Sequence, residues 1–225
     1  ASVRAKGLVE QILAFSRQSK PEKIPTDIGL ITKEALKLLR ASIPTTIEIE
    51  QNVQTHIGTV EADPNQIHQI VLNLFANASH AMRSKGGKII VDLSKIEIAS
   101  VDSVCPSIKS GMYIKLSVAD SGHGMDAATI SRIFEPYFTT KDKGEGTGLG
   151  LAAVHGIVKD HGGDIKVHSE LGVGSTFEIF FPIMKEEGLS ESDERSSLLD
   201  TGHETILFVD DEQFLIEIGK DMLER

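Results

Sequence analysis

Apolar residues recur at helical spacing over 3–19, with Val9, Ile12 and Leu13 on one flank and Leu8 and Phe15 beside them. Pro21 and Pro25 end that helix and favour an extended segment. Asp27 stands where an N-cap belongs. The periodicity after it predicts a helix through about Ala41, with Ile28, Ile31, Ala35, Leu38 and Leu39 inward. TIEIEQNV (46–53) alternates as a strand does, and another short strand is predicted before Asp63. The strongest helical pattern is DPNQIHQIVLNLFANASHAMRSK (63–85): Asp63 caps it, Pro64 occupies its first turn, and Gly86-Gly87 stop it. Residues 88–98 and 112–119 alternate as strands around a Ser/Pro loop at 99–110. Gly-rich and polar text fills 121–147. A helix is predicted at about 148–160, and two strands near 164–168 and 175–181 close the pattern. Helices and strands are mixed without regular alternation, which predicts an α/β sandwich with one mixed sheet covered on one face by helices.

Beyond 183 the text changes. Residues 184–203 hold two basic residues against six acidic ones, several serines and few large apolar side chains, the composition of a linker. ETILFVDDE (204–212) then resumes as an apolar strand ending in acids, and an amphipathic pattern runs to Arg225. The sequence lacks an initial Met and stops within a pattern, so it reads as a piece of something longer. Its 225 residues suffice for a sizeable core, and 40% hydrophobic with 25% charged residues is a globular composition. A net charge of −10 supplies no overall field for nucleic acid or an anionic membrane. A lone cysteine, Cys105, excludes an internal disulfide framework and fits a reducing, cytoplasmic compartment. No apolar run reaches transmembrane length.

Three stretches carry candidate chemistry. On the helix over 63–85, Ile67, Ile70, Val71, Leu74, Phe75, Ala78 and Met82 form one stripe, while Asn73 and Asn77, four apart, share another face. That polar face is either an ordinary solvated flank or a source of amide oxygen for Mg²⁺, which prefers oxygen ligands and takes few from protein. In the strand over 112–119, Met112, Ile114, Leu116 and Val118 share a parity that Asp120 continues, which aims its carboxylate at the core side. A buried carboxylate needs a donor. Adenine's exocyclic amine is one; local backbone N–H groups in a turn are the alternative. His123 with Asp126 imitates a metal pair but reads as loop text. Finally, GEGTGLGL (144–151) opens a helix with glycines that free N–H groups to turn toward an anion, or it is simply a flexible linker. Lys141 and Lys143 upstream would meet phosphates or remain surface lysines.

Taken in order, NLFANA (73–78), DSGHGM (120–125), IFEPYFTTK (133–141) and GEGTGLGL resemble the nucleotide-binding boxes of sensor histidine kinases, a likeness that covers roughly 1–183. Asn73 and Asn77 match the N box. Asp120, Gly122 and Gly124, with Met125, match the first glycine box. Phe134 and Phe138, with Thr139 and Lys141, match the F box. Gly146, Thr147, Gly148, Leu149 and Gly150 match the second glycine box, and GVGSTFEIFFP (172–182) looks like the family's closing strand. The resemblance implies the two-layer, mostly antiparallel ATP-binding fold shared with type II topoisomerases, heat-shock chaperones and mismatch-repair ATPases. It implies that Asp120 reads adenine, that Asn77 holds Mg²⁺, that His80 takes the place of a basic phosphate contact, and that 134–150 form a lid over ATP. The hydrolytic members carry Glu where this chain has Asn73. A carboxylate can act as general base on water and an amide cannot, which favours phosphoryl transfer to a protein.

Residues 1–20 resemble the second helix of the dimerisation and phosphotransfer hairpin, whose first helix bears the acceptor histidine. The eight histidines present fit that role poorly, so the catalytic set is incomplete here, with Asn73 and Asn77 supporting. Residues 21–183 then form the catalytic domain, 184–203 an acidic linker, and 204–225 the start of a response-regulator receiver, with Asp210 and Asp211 belonging to its Mg²⁺ pocket. The implied partners are dimerisation helices, in a homodimer, and a receiver in cis or on a separate regulator. The implied setting is cytoplasmic, including the cytoplasmic part of a membrane-anchored sensor. Two competing readings are an ATP-hydrolysing relative and a scaffold that keeps the fold without binding nucleotide.

Overall fold

A computed structural model describes residues 22–40, 43–98, 108–141 and 146–184. The expectations for 1–20, for the loop at 99–107, for Lys143 and Gly144, for the linker beyond 184 and for Asp210 and Asp211 lie outside these residues. The chain runs β1 (Ile24–Thr26), α1 (Ile28–Arg40), β2 (Ile47–Val53), β3 (Val60–Ala62), α2 (Pro64–Ala81), β4 (Gly87–Ile98), β5 (Gly111–Asp120), α3 (Ala127–Ile130), α4 (Gly150–Asp160), β6 (Asp164–Glu170) and β7 (Gly174–Pro182). Five strands form one sheet in the order β2-β4-β5-β7-β6. Only the β2–β4 pair is parallel; β1 and β3 make a separate antiparallel pair. This is the expected mixed, mostly antiparallel sheet with helices on one face.

The caps do what the text suggested. Asp27 Oδ1 accepts the Gly29 and Leu30 N–H groups at 2.8 and 3.2 Å and starts α1. Asp63 Oδ1 accepts the Asn65 N–H at 2.9 Å, with Pro64 as the first residue of α2. Each such cap stabilises a helix by about 1 kcal/mol. The stripe Ile67–Met82 is buried throughout, and α2 packs against α1 and α4 as well as the sheet. Phe75 and Phe181 are fully enclosed, and burial of such side chains contributes about 1.5–3 kcal/mol each.

Two inward assignments fail. Leu38 is 65% exposed, while Leu36 is buried in its place. The buried positions of α1 centre on 28, 32, 35 and 36, and Leu38, seven after Ile31, falls at the edge of that stripe near the helix end. Met112 is 39% exposed although its parity is inward; it is the second residue of β5, at the strand's outer end. The outer sheet face is also not uniformly polar. Tyr113 and Phe180 are buried there with Ile108, and Ile96 and Ile98 pack beside them.

His161, one of the eight histidines, is structural. It is buried behind α4, its Nδ1 lies 2.7 Å from the Ile157 carbonyl, and its Nε2 accepts the Asp63 N–H at 3.1 Å. That arrangement needs the neutral ring with its proton on Nδ1, and it ties the start of α2 to the end of α4.

Candidate functional site

β5 lies between β4 and β7 and ends at Asp120, whose register partners are Ile89 and Ser175. Ile114, Leu116 and Val118 enter the core, and Asp120 continues their parity at the rim. Burial pushes the Asp120 carboxyl above its ordinary range. Backbone N–H groups of Gly122 and Ser175, and then His123, pull it partly back. The Gly122 bond measures 2.8 Å to Oδ1. The local-turn reading and the buried-carboxylate reading therefore coexist in one side chain. A cleft of about 520 Å³ opens beside it, lined by Ile130, Val167, Ser169, Glu170 and Ser175.

The segment after Asp120 is stitched to its neighbours by backbone. His123 N–H donates to the Ala81 carbonyl at the end of α2, and the Gly172 N–H donates to the His123 carbonyl at 2.8 Å. Gly124, at φ +66°, passes so near β6 that an added Cβ would lie 1.9 Å from the Glu170 carbonyl oxygen. That close approach is to protein, so the glycine has a structural cause whatever binds in the cleft. Met125 N–H donates to Ser169 Oγ at 2.8 Å, and the Met125 side chain packs on the core. His123 Nδ1 turns to the neighbouring Gly124 carbonyl at 2.7 Å, and Asp126 Oδ1 accepts the Thr129 N–H to cap α3. Hydrogen bonds from Thr129, its side chain first and then its N–H, hold the Asp126 carboxyl below its ordinary value. The apparent metal pair is thus a loop residue and a cap.

Phe134 and Phe138 both pack against the core. Phe134 lies 5.0 Å, centroid to centroid, from His155 of α4, and the Arg132 guanidinium lies 4.3 Å over the Phe138 ring. Tyr137 between them is 77% exposed and adopts φ +67°, a costly backbone state for an aromatic residue. The conformation is held by Gly148. The Tyr137 N–H donates to the Gly148 carbonyl at 2.9 Å, and a Cβ on Gly148 would come within 2.4 Å of the Tyr137 carbonyl carbon. The F box and second glycine box are therefore in direct contact.

The N box joins them from α2. Asn77 Oδ1 accepts from Lys141 Nζ at 3.1 Å. The Cβ position of Gly150 lies 3.3 Å from Asn73 Oδ1, and that of Gly146 lies 2.8 Å from Thr139 Oγ1. α4 starts at Gly150, with Leu149 at its N-cap and no side-chain cap, so its first N–H groups are directed to whatever lies before it. Thr147 is exposed, and His80 lies half-buried in the last turn of α2. Among the described residues no three His, Cys, Asp or Glu side chains gather as a metal cage.

The sequence reading missed Ser169 and Ser175. Both sit at inward positions at the rim of β6 and β7, where Ile165, Val167, Phe177 and Ile179 pack on the core. A hydroxyl at an inward position of an otherwise apolar strand face was the available signal.

Known proteins resemble this chain in sequence and fold. Residues 62–185 match the family model described as histidine kinase-, DNA gyrase B- and HSP90-like ATPase. Sensor kinase CckA of Brucella abortus is 36% identical over 219 residues, covering 93% of this chain and 23% of the relative. Sensor histidine kinase ZraS of Escherichia coli K12 is 35% identical over 181 residues, covering 80% of this chain and 35% of the relative. The chain thus spans about a quarter to a third of the length of these curated relatives. Among solved structures, full-length ShkA in complex with AMPPNP superposes with a TM-score of 0.61 at 29% identity, over 79% of this chain and 35% of that one. The nucleotide-free catalytic domain of histidine kinase ThkA gives 0.57 at 27% identity, over 72% and 96%. The chain belongs to the histidine kinase-, DNA gyrase B- and HSP90-like ATPase family, and within it to the ATP-binding catalytic domains of sensor histidine kinases.

Proposed function

We propose that this chain binds Mg-ATP and presents its γ-phosphoryl group to a histidine on a helix outside this sequence, for onward relay to a receiver aspartate. The observation that carries the reading is Asp120, a desolvated carboxylate at the open end of the central strand beside a cleft. Such a group is stabilised by a donor, and adenine's amine is a donor where guanine has a carbonyl. Asn73 supports transfer over hydrolysis, because an amide cannot take a proton from water. The reaction then rests on positioning and charge stabilisation. The chain's part is to hold the base through Asp120 with Gly122, Gly124 and Met125, and to close Phe138, Thr139, Lys141 and Gly146–Gly150 over the phosphates. His80 stands where many relatives place a basic phosphate contact.

Asn77 fits a magnesium site. Its Oδ1 already faces a cation, the Lys141 ammonium, and an amide oxygen is a hard ligand. With no protein cage among the described residues, the ion would take its remaining ligands from phosphate and water. Mg²⁺ bound there supplies charge neutralisation on the phosphates.

The proposal extends to organisation. Residues 1–20 serve as a dimerisation-hairpin helix, 21–183 as the catalytic domain, 184–203 as linker, and 204–225 as the start of a receiver with Asp210 and Asp211 at its metal pocket. The alignment with CckA takes in 93% of the chain, so it necessarily runs beyond residue 185, where the family match ends. The partners are dimerisation helices in a homodimer and a receiver. The setting is cytoplasmic, including the cytoplasmic part of a membrane sensor; no helix among the described residues is long and apolar enough to cross a membrane.

Calorimetry tests the binding half. Asp120→Asn should lose roughly 1.5–3 kcal/mol, about ten- to a hundredfold in ADP affinity. Near-wild-type affinity would remove Asp120 from the site.

A further inference from the structure

A serine hydroxyl has one proton to give and two lone pairs. Ser169 uses all three. It donates to the Gly174 carbonyl at 2.9 Å and accepts the Met125 N–H at 2.8 Å. Ser175 Oγ lies 2.9 Å away, and with the Ser169 proton committed, Ser175 must be the donor there. One oxygen on β6 thus ties the loop after β5 to the start of β7. What it ties borders Asp120 on two sides. Ser175 is the register partner of Asp120, and its backbone N–H reaches the carboxylate. Gly174 runs so close that an added Cβ would lie 1.9 Å from the Asp120 carbonyl oxygen. Met125 lies in the segment that Asp120 opens. Ser169 itself lines the cleft beside Asp120.

The two inward residues before it, Ile165 and Val167, pack on the core. A further aliphatic residue would extend that packing but would leave the Met125 N–H and the Ser175 hydroxyl without their partner.

We infer that Ser169 is a positioning residue for base specificity: its hydroxyl fixes Met125, Gly174 and Ser175 around Asp120, so that the carboxylate is held for a 6-amino purine and against a 6-oxo purine. The inference rests on the adenine-reading role proposed for Asp120 and adds the group that sets its selectivity.

Calorimetric titration with ADP and with inosine diphosphate, which differ at that position of the base, tests it. The unsubstituted protein should prefer ADP. Ser169→Ala should lose roughly tenfold of that preference, chiefly through weaker ADP binding, with inosine diphosphate changed by about twofold at most. An equal loss for both nucleotides, or an unchanged preference, would overturn the inference while leaving Asp120 as the base reader. If the unsubstituted protein binds both equally, the inference and the Asp120 reading fall together. Should the alanine variant not fold, Ser169→Cys carries the test: it keeps the shape, and its thiol is a weak donor and acceptor, so the same loss of preference is expected.

Discussion

At Asp120, stability and the proposed nucleotide binding oppose one another. Its carboxyl is raised because burial disfavours the charge, and the Gly122 and Ser175 N–H groups do not fully compensate. An acid with a raised folded-state pKa binds more protons folded than unfolded, so stability falls as pH rises from the ordinary carboxylate value through the raised one. At neutral pH the ionised side chain therefore destabilises the free protein. Asp120→Asn should accordingly be at least as stable as the parent at pH 7 while losing nucleotide. The difference should shrink as pH is lowered through the raised value toward about 4. Thermal unfolding across that range, without nucleotide, checks it. A variant clearly less stable at pH 7 would mean that the hydrogen bonds to Asp120 outweigh its desolvation.

Among the elements, the stretch from the F box to the second glycine box is the one proposed to respond to nucleotide. Its described bonds include Tyr137 to Gly148, the Lys141 N–H to Thr139 Oγ1, and Lys141 Nζ to Asn77, while no described side chain between Phe138 and Leu151 packs on the core. Segments with few buried apolar contacts open at low free energy. Tryptic cleavage after Lys141 should slow when a nonhydrolysable ATP analogue is added; an unchanged rate would end the lid proposal. The same elements show what the text alone could carry. α2 was legible because three independent signals agreed: the Asp63 cap, Pro64 at the first turn and an unbroken stripe ending at Met82. β1 was read only as an extended segment, since three residues hold no periodicity and its ladder with β3 is a long-range event. The four residues of α3 lie in polar text, and only the Asp126 cap betrays them. Leu38 misled because it stands seven residues after Ile31, at the margin of the buried stripe and not within it. Tyr113 and Phe180 escaped notice because alternation assigns a face without saying what covers it. In the site, the boxes were legible as motifs. Their mutual contacts, such as Gly148 against Tyr137, and the Ser169 bonds depend on register between distant strands.

At the scale of the molecule, the proposed transfer needs a nucleotide-binding half whose acceptor lies elsewhere. In the proposed reading, Asn73, Asn77, Asp120 and the glycine-rich segment hold the donor ATP. Of the described histidines, His161 is committed to the fold by both ring nitrogens, and His155 stacks against Phe134. The decisive measurement is γ-³²P transfer from Mg-ATP by this chain, alone and mixed with a complete dimerisation hairpin bearing an acceptor histidine. Acid-labile label is expected on the hairpin, accumulating slowly because no tether raises the effective concentration, and none on the chain alone. Acid-labile label on the chain itself, or steady phosphate release with an unlabelled hairpin, would contradict the proposed transfer.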